Sequence, residues 1–160
     1  MLSIEQIKTL IVHHSMISNY LDLEKQLQPN GFDLTVELVG ILRGRASVIG
    51  FGHKELPDQI SEPLVGDKFL DPGYYLLTMC EEIRLPKNIA AVPMNRTSLF
   101  RMGAFIAGGW YDRGYCGKPQ TGLMVTRPLL LLPRARILQL GFFNVENADD
   151  AGYNGEYQNK

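Results

Sequence analysis

From "FDLTVELVGIL" onward the chain is a succession of short apolar or alternating runs, cut at close intervals by turn-forming residues. The runs continue with "YYLLTMCEEIRL", "GLMVT", "PLLLL" and "ARILQLGFFNV", and the punctuation between them includes "PNG", "DPG", "LPKN" and "RGYCG". Runs this short suit strands, because side chains on a strand alternate faces every residue and glycine or proline ends each one at a turn. Several such strands in one chain must bury one face against another, which restricts the fold to an all-β sandwich or barrel. The exception comes first. "SIEQIKTLIVHH" carries Ser3 as N-cap with Gln6 three residues on, and Ile4, Ile7, Leu10 and Ile11 fall on one helical face. The stretch "VIGFGHKELPDQISEPLVGD" has no clean period and contains Pro57 and Pro63, so it reads as an excursion over the surface.

At 160 residues the chain fits one domain and needs no disulfide staples. Its formal net charge of −1, with both signs interspersed, offers no basic footprint for nucleic acid and no polybasic membrane patch. No apolar run approaches the roughly 20 residues of a spanning helix. Nor does the N-terminus resemble a signal peptide, so a soluble cytoplasmic protein is expected. In that compartment Cys80 and Cys116 are expected as free thiols. His13, His14 and His53 form no metal-ligand spacing.

Chemistry can gather where the apolar runs break. Arg96, Thr97, Ser98 and Arg101 place two guanidiniums and two hydroxyls within six residues. Such a group either binds phosphate, whose oxygens match guanidinium forks, or is a capped helix turn with surface arginines. Spacing leaves both open. Asp33, between Phe32 and Leu34, could be a solvated charge on the outer face of a strand. Asp112 stands in "GGWYDRGYCGKP" and is followed by several cations before the next acid, Glu146. It either activates something, such as a water, or makes a salt bridge. The polar tail "NADDAGYNGEYQNK" is a disordered terminus or an arm that folds over a ligand or a neighbouring subunit.

Taken together and in order, these segments resemble the superfamily of dUTP pyrophosphatases and dCTP deaminases. "QPNGFDLTVE" is similar to its first motif, "LPKNIAAVPMNRTSLFRMG" to the arginine-serine motif, "AGGWYDRGYCG" to the aspartate motif, "ARILQL" to the glutamine motif, and "YNGEYQ" to the tail of the deaminase-like branch. The resemblance covers most of the chain and points to an archaeal-type dUTPase. It implies a mostly β, antiparallel barrel or jelly-roll-like dUTPase (β-clip) fold with a short N-terminal helix, a single domain over 1–160 with 147–160 as a C-terminal arm, and a homotrimer with shared active sites. The implied reaction is hydrolysis of dUTP to dUMP and pyrophosphate, which keeps uracil out of DNA and supplies dUMP for dTMP synthesis. Mg2+ would ride on the triphosphate, with Asp33 linked to it through water. By the same resemblance Asp112 orients and deprotonates the attacking water, Tyr115 stacks on the deoxyribose, and backbone near Gly109 reads uracil. Arg96, Ser98 and Gln139 would hold phosphates, Thr97 and Arg101 would also bind substrate, Arg101 matching an arginine important in the deaminases, and Tyr153, Tyr157 and Gln158 would close over the nucleotide.

The deaminase branch implies a glutamate five residues after the glycine matching Gly117. That position is Gly122, and no other acid lies between Asp112 and Glu146. Attack on a cytosine ring then lacks an obvious proton carrier, so the residues favour pyrophosphate release over deamination. The tail departs from the pattern too, with Glu156 where a lysine is common, and a carboxylate facing a phosphate would repel it.

Overall fold

A computed structural model describes residues 1–146 and 152–160. The five arm residues 147–151 lie outside the described residues. The expected N-terminal helix spans Ile4–His14, and its capping box is complete: Ser3 Oγ accepts from Gln6 N, and Gln6 Oε1 accepts from Ser3 N. Ile7 and Ile11 are buried while Ile4 sits at the margin. Leu2 N donates to Phe142 O, which fastens this helix to the sheet. Two further helical turns occur, Leu23–Gln26 and Thr97–Arg101. Both are too short to write a 3.6-residue period into the sequence.

The rest is antiparallel sheet. Its main path runs through the strands Ile89–Asn95, Arg136–Asn144, Gly31–Arg43, Gly73–Met79, Gln120–Val125 and Ala104–Ala107. The two ends of that path meet, since Ile106 N donates to Asn95 Oδ1 at 2.6 Å and Tyr111 bridges Ala91 through paired backbone bonds. The sheet therefore curls into a nearly closed barrel, which leaves few open edges. Phe32, Leu34, Leu77, Leu123, Leu138, Leu140 and Phe142 fill its interior.

The segment read as an excursion is exposed as expected, yet it is ordered by backbone pairing. Val48–Gly50 and His53–Glu55 form a hairpin, and Asp58–Pro63 pairs with Leu38–Arg43. Its lack of period follows from burying almost no face of its own. Inside the barrel wall, Glu81 is fully buried and accepts hydrogen bonds from Gln26 Nε2 (2.7 Å), Thr35 Oγ1 (2.7 Å) and Thr35 N (2.9 Å). Three neutral donors thus hold a carboxylate that nothing in the local sequence distinguished.

Candidate active site

A cavity of about 740 Å³ opens on one flank of the barrel. Its floor is the outer face of the Gly73–Met79 and Gln120–Val125 pair, presenting Tyr74, Leu76, Thr78 and Gln120. The stretch Gly109–Asp112 with Tyr115 makes one wall, and Tyr153, Glu156, Tyr157 and Lys160 come over from the tail. Period-two alternation explains the floor: residues 120 and 124 of one strand, and 74, 76 and 78 of its neighbour, share a face.

The wall is shaped by a tight turn. After Tyr111 leaves its bridge with Ala91, Tyr115 N donates to Asp112 O at 3.0 Å, with Gly114 at φ 78° in the third position. A side chain there would be strained, which accounts for the glycine. Asp112 is exposed, and among the described residues its carboxylate has no hydrogen-bond or ion-pair partner. Of the two readings of Asp112, the salt bridge therefore finds no partner there. Arg113 beside it donates to Lys87 O at 3.3 Å.

Tyr115 is the opposite case. It is 7% exposed, its ring packs against Tyr111 at 5.5 Å and Tyr153 at 5.7 Å, and its hydroxyl donates to Lys118 O at 3.3 Å. Burial, with Tyr153 and Cys116 adding to it, pushes the Tyr115 hydroxyl up to about 12. The phenol is a neutral, fixed group at any ordinary pH. Tyr111 is raised further by burial and donates to Gln120 O at 2.7 Å.

Arg96, Thr97, Ser98, Arg101, Gln139 and Asp33 do not line this cavity. They gather along the Ile89–Asn95, Arg136–Asn144 and Gly31–Arg43 strands, where Gln139 lies in register with both Met94 and Asp33. Thr97, Ser98 and Arg101 sit exposed on the short helix that follows, which has no side-chain cap. The capped-turn reading is corrected to that extent. Asp33 is not a solvated outer charge either. Residues 31–36 are buried on both faces, and the Asp33 side chain is 2% exposed, with Oδ2 3.0 Å from Arg96 Nε and 3.4 Å from Arg136 Nη1. Burial raises the Asp33 carboxyl above its ordinary value, while Arg96 and then Arg136 oppose the rise. Arg136 reaches this face because a bulge between Arg136 and Leu138 shifts the register. It lies inside "ARILQL" yet was not singled out as a candidate, because only the bulge gives it its direction.

Residues 1–145 match the family model described as dCTP deaminase-like. The chain belongs to the dCTP deaminase-like family. It is 33% identical over 167 residues to a probable deoxyuridine 5'-triphosphate nucleotidohydrolase of Methanosarcina mazei, covering 100% of this chain and 97% of the relative. A protein of the same name from Archaeoglobus fulgidus is 34% identical over 160 residues, covering 98% of this chain and 95% of the relative. Among solved structures, the 2'-deoxycytidine 5'-triphosphate deaminase of Agrobacterium tumefaciens superposes with a TM-score of 0.67 at 21% identity, over 88% of this chain and 47% of that one. This chain thus spans about half of that protein, and the likeness establishes a shared barrel.

Within the dCTP deaminase-like family, Gly122 is the informative departure. A Cβ built on it would lie 2.1 Å from Tyr74 Oη and 2.6 Å from Tyr74 Cζ. The Tyr74 ring therefore covers the glycine from the adjacent strand and fills the space a longer side chain would take. Among the described residues no cluster of three or more His, Cys, Asp or Glu suited to a metal occurs, and Asp33 faces guanidiniums inside the wall. No helix among the described residues is long and apolar enough to cross a membrane. Cys80 and Cys116 are free and buried.

Proposed function

We propose that this protein hydrolyses dUTP to dUMP and pyrophosphate in the cytoplasm, as one domain over its 160 residues. The observation that carries the reading is the exposed carboxylate of Asp112, without a partner among the described residues, on the wall of a cavity whose floor has Tyr74 seated on Gly122. The other acid lining the cavity, Glu156, is ion-paired to Lys54 at 2.6 Å. One carboxylate free to take a proton suffices for water attack on phosphorus, whereas deamination also needs a proton carrier at the base. Asp112 would orient the water and accept its proton, the backbone at Gly109 would read uracil, and Tyr115 would limit the room beside the sugar. Arg96, Thr97, Ser98, Arg101 and Gln139 would hold phosphate oxygens. Magnesium would arrive with the substrate, as the metal complex of the triphosphate, which keeps most of its waters and needs no dedicated protein cage.

A panel of dUTP, dCTP, dTTP and UTP with magnesium, assayed for pyrophosphate and for ammonia, tests the reading. Pyrophosphate from dUTP alone is expected. Ammonia from dCTP would replace it with a deaminase, and tight dUTP binding without turnover would make the protein a nucleotide-binding module.

The phosphate-facing group and the Asp112 cavity do not share one pocket within a chain, which supports a homotrimer whose sites combine residues of different subunits. Co-expressing Asp112→Asn with Gln139→Ala, each of low activity alone, is then expected to recover about a quarter of wild-type activity, since random assembly leaves that share of two-subunit sites intact. A mixture no better than its parents would place both residues in one chain's site.

A further inference from the structure

We infer that Gly152–Lys160 is a brace built onto the Asp112 turn, with Gln158 as the positioning residue that keeps the turn in shape. The functional half of this inference rests on the dUTP reading. The structural half does not.

The tail runs back along residues 113–118 of its own chain and uses their backbone groups in succession. Tyr153 N donates to Arg113 O at 2.7 Å, Asn159 N to Cys116 O at 2.7 Å, and Lys118 N to Lys160 O at 2.7 Å. Between these, the Gln158 carboxamide donates from Nε2 to Gly114 O at 3.0 Å and accepts at Oε1 from Cys116 N at 3.1 Å. One side chain thereby ties the backbone on both sides of Tyr115. Only a carboxamide offers a donor and an acceptor in one plane for such a pair of bonds. The approach is close: a Cβ on Gly152, whose φ is 75°, would lie 2.7 Å from Arg113 O.

The outer edge is fastened as well. Glu156 pairs with Lys54 of the exposed hairpin at 2.6 Å, and Lys54 Nζ lies 5.1 Å from the centre of the Tyr157 ring. Glu156 is thus committed to a lysine, which removes the repulsion its carboxylate would otherwise impose on a phosphate. Every group in this docking belongs to the chain itself, so none of these contacts uses a nucleotide atom. Its consequence falls on Asp112, which begins the turn whose far end Gln158 ties down. A nucleophile-positioning carboxylate loses rate steeply when displaced.

Hydrogen exchange on the full chain, without nucleotide or metal, reads the brace directly. The amides of Cys116 and Lys118 are expected to exchange at least about 10-fold faster in Gln158→Leu, which removes both side-chain bonds, and in a chain ending at residue 151. Leu138 and Phe142 in the barrel interior serve as the folding control. Adding the synthetic peptide Gly152–Lys160 to the shortened chain should restore protection. If these amides exchange alike with and without the tail, and are protected only when dUTP is added, the segment is a nucleotide-driven lid and the brace is overturned. In turnover, Gln158→Leu should lower kcat by at least about 10-fold with little change in KM. A raised KM at unchanged kcat would make Gln158 a substrate contact and overturn its positioning role. Should wild type not turn over dUTP at all, the functional reading fails and exchange alone decides the brace.

Discussion

Asp112→Asn is expected to cut pyrophosphate release from dUTP by at least about 100-fold, the lower end of what a positioned general base supplies. The amide keeps the shape of the carboxylate but cannot accept a proton. Because Asp112 is exposed and has no partner among the described residues, stability should move by no more than about 0.5 kcal/mol. A steady-state pyrophosphate assay beside a thermal melt separates the two effects. Wild-type turnover in the variant would remove Asp112 from the reaction, whereas a large fall in melting temperature would make its loss a structural one.

The second large effect concerns stability and is asymmetric. Arg96→Ala leaves the Asp33 carboxylate inside the wall with Arg136 alone, a partner 3.4 Å away and itself 37% exposed. Removing one partner from a buried charge commonly costs several kcal/mol, and at least about 2 kcal/mol is expected here by urea unfolding at pH 7. Asp33→Asn removes the charge whose burial is costly and leaves two arginines that can turn to water, so it should cost less than Arg96→Ala. The pH dependence has a definite sign. The folded Asp33 carboxyl is raised above the ordinary 3.8 of an aspartate, with burial the largest cause. Its contribution to stability is therefore complete below about 3.8 and is lost as pH rises through the raised folded value. Arg96→Ala removes the larger opposing influence and raises it further, so the penalty of that variant should shrink as pH falls from 7 toward 4. A penalty independent of pH would show that lost packing, not the stranded charge, is responsible.

The division between what was legible in the chain and what was not follows distance along it. Ser3 and Gln6 are three residues apart, and their capping box could be read directly. Strand alternation and turn residues are equally local, and they sufficed for an all-β sandwich or barrel with one leading helix, while the antiparallel barrel followed from the family resemblance. Asp33 could not be placed this way, because its surroundings are Arg96 and Arg136, brought to it by neighbouring strands and a bulge. The same holds for Glu81, whose donors come from Gln26 and Thr35. The turn at Asp112 was legible because its glycines lie within a few residues, whereas the roles expected of Asp112 and Tyr115 followed from the family resemblance. That the tail binds this turn through Gln158 depends on a contact no local pattern encodes. Composition described the tail as polar and unable to form a core, which is correct, but its bonds are to backbone and need no core.

Tyr74 over Gly122 also constrains how this barrel can change over time. An acid at position 122 would meet a tyrosine ring with its first carbon, so that substitution is penalised while Tyr74 remains. With a small residue at 74 the same substitution has room. The two positions are therefore coupled: an acid at 122 has first to swing the 44% exposed Tyr74 ring outward, a step that a small residue at 74 makes unnecessary.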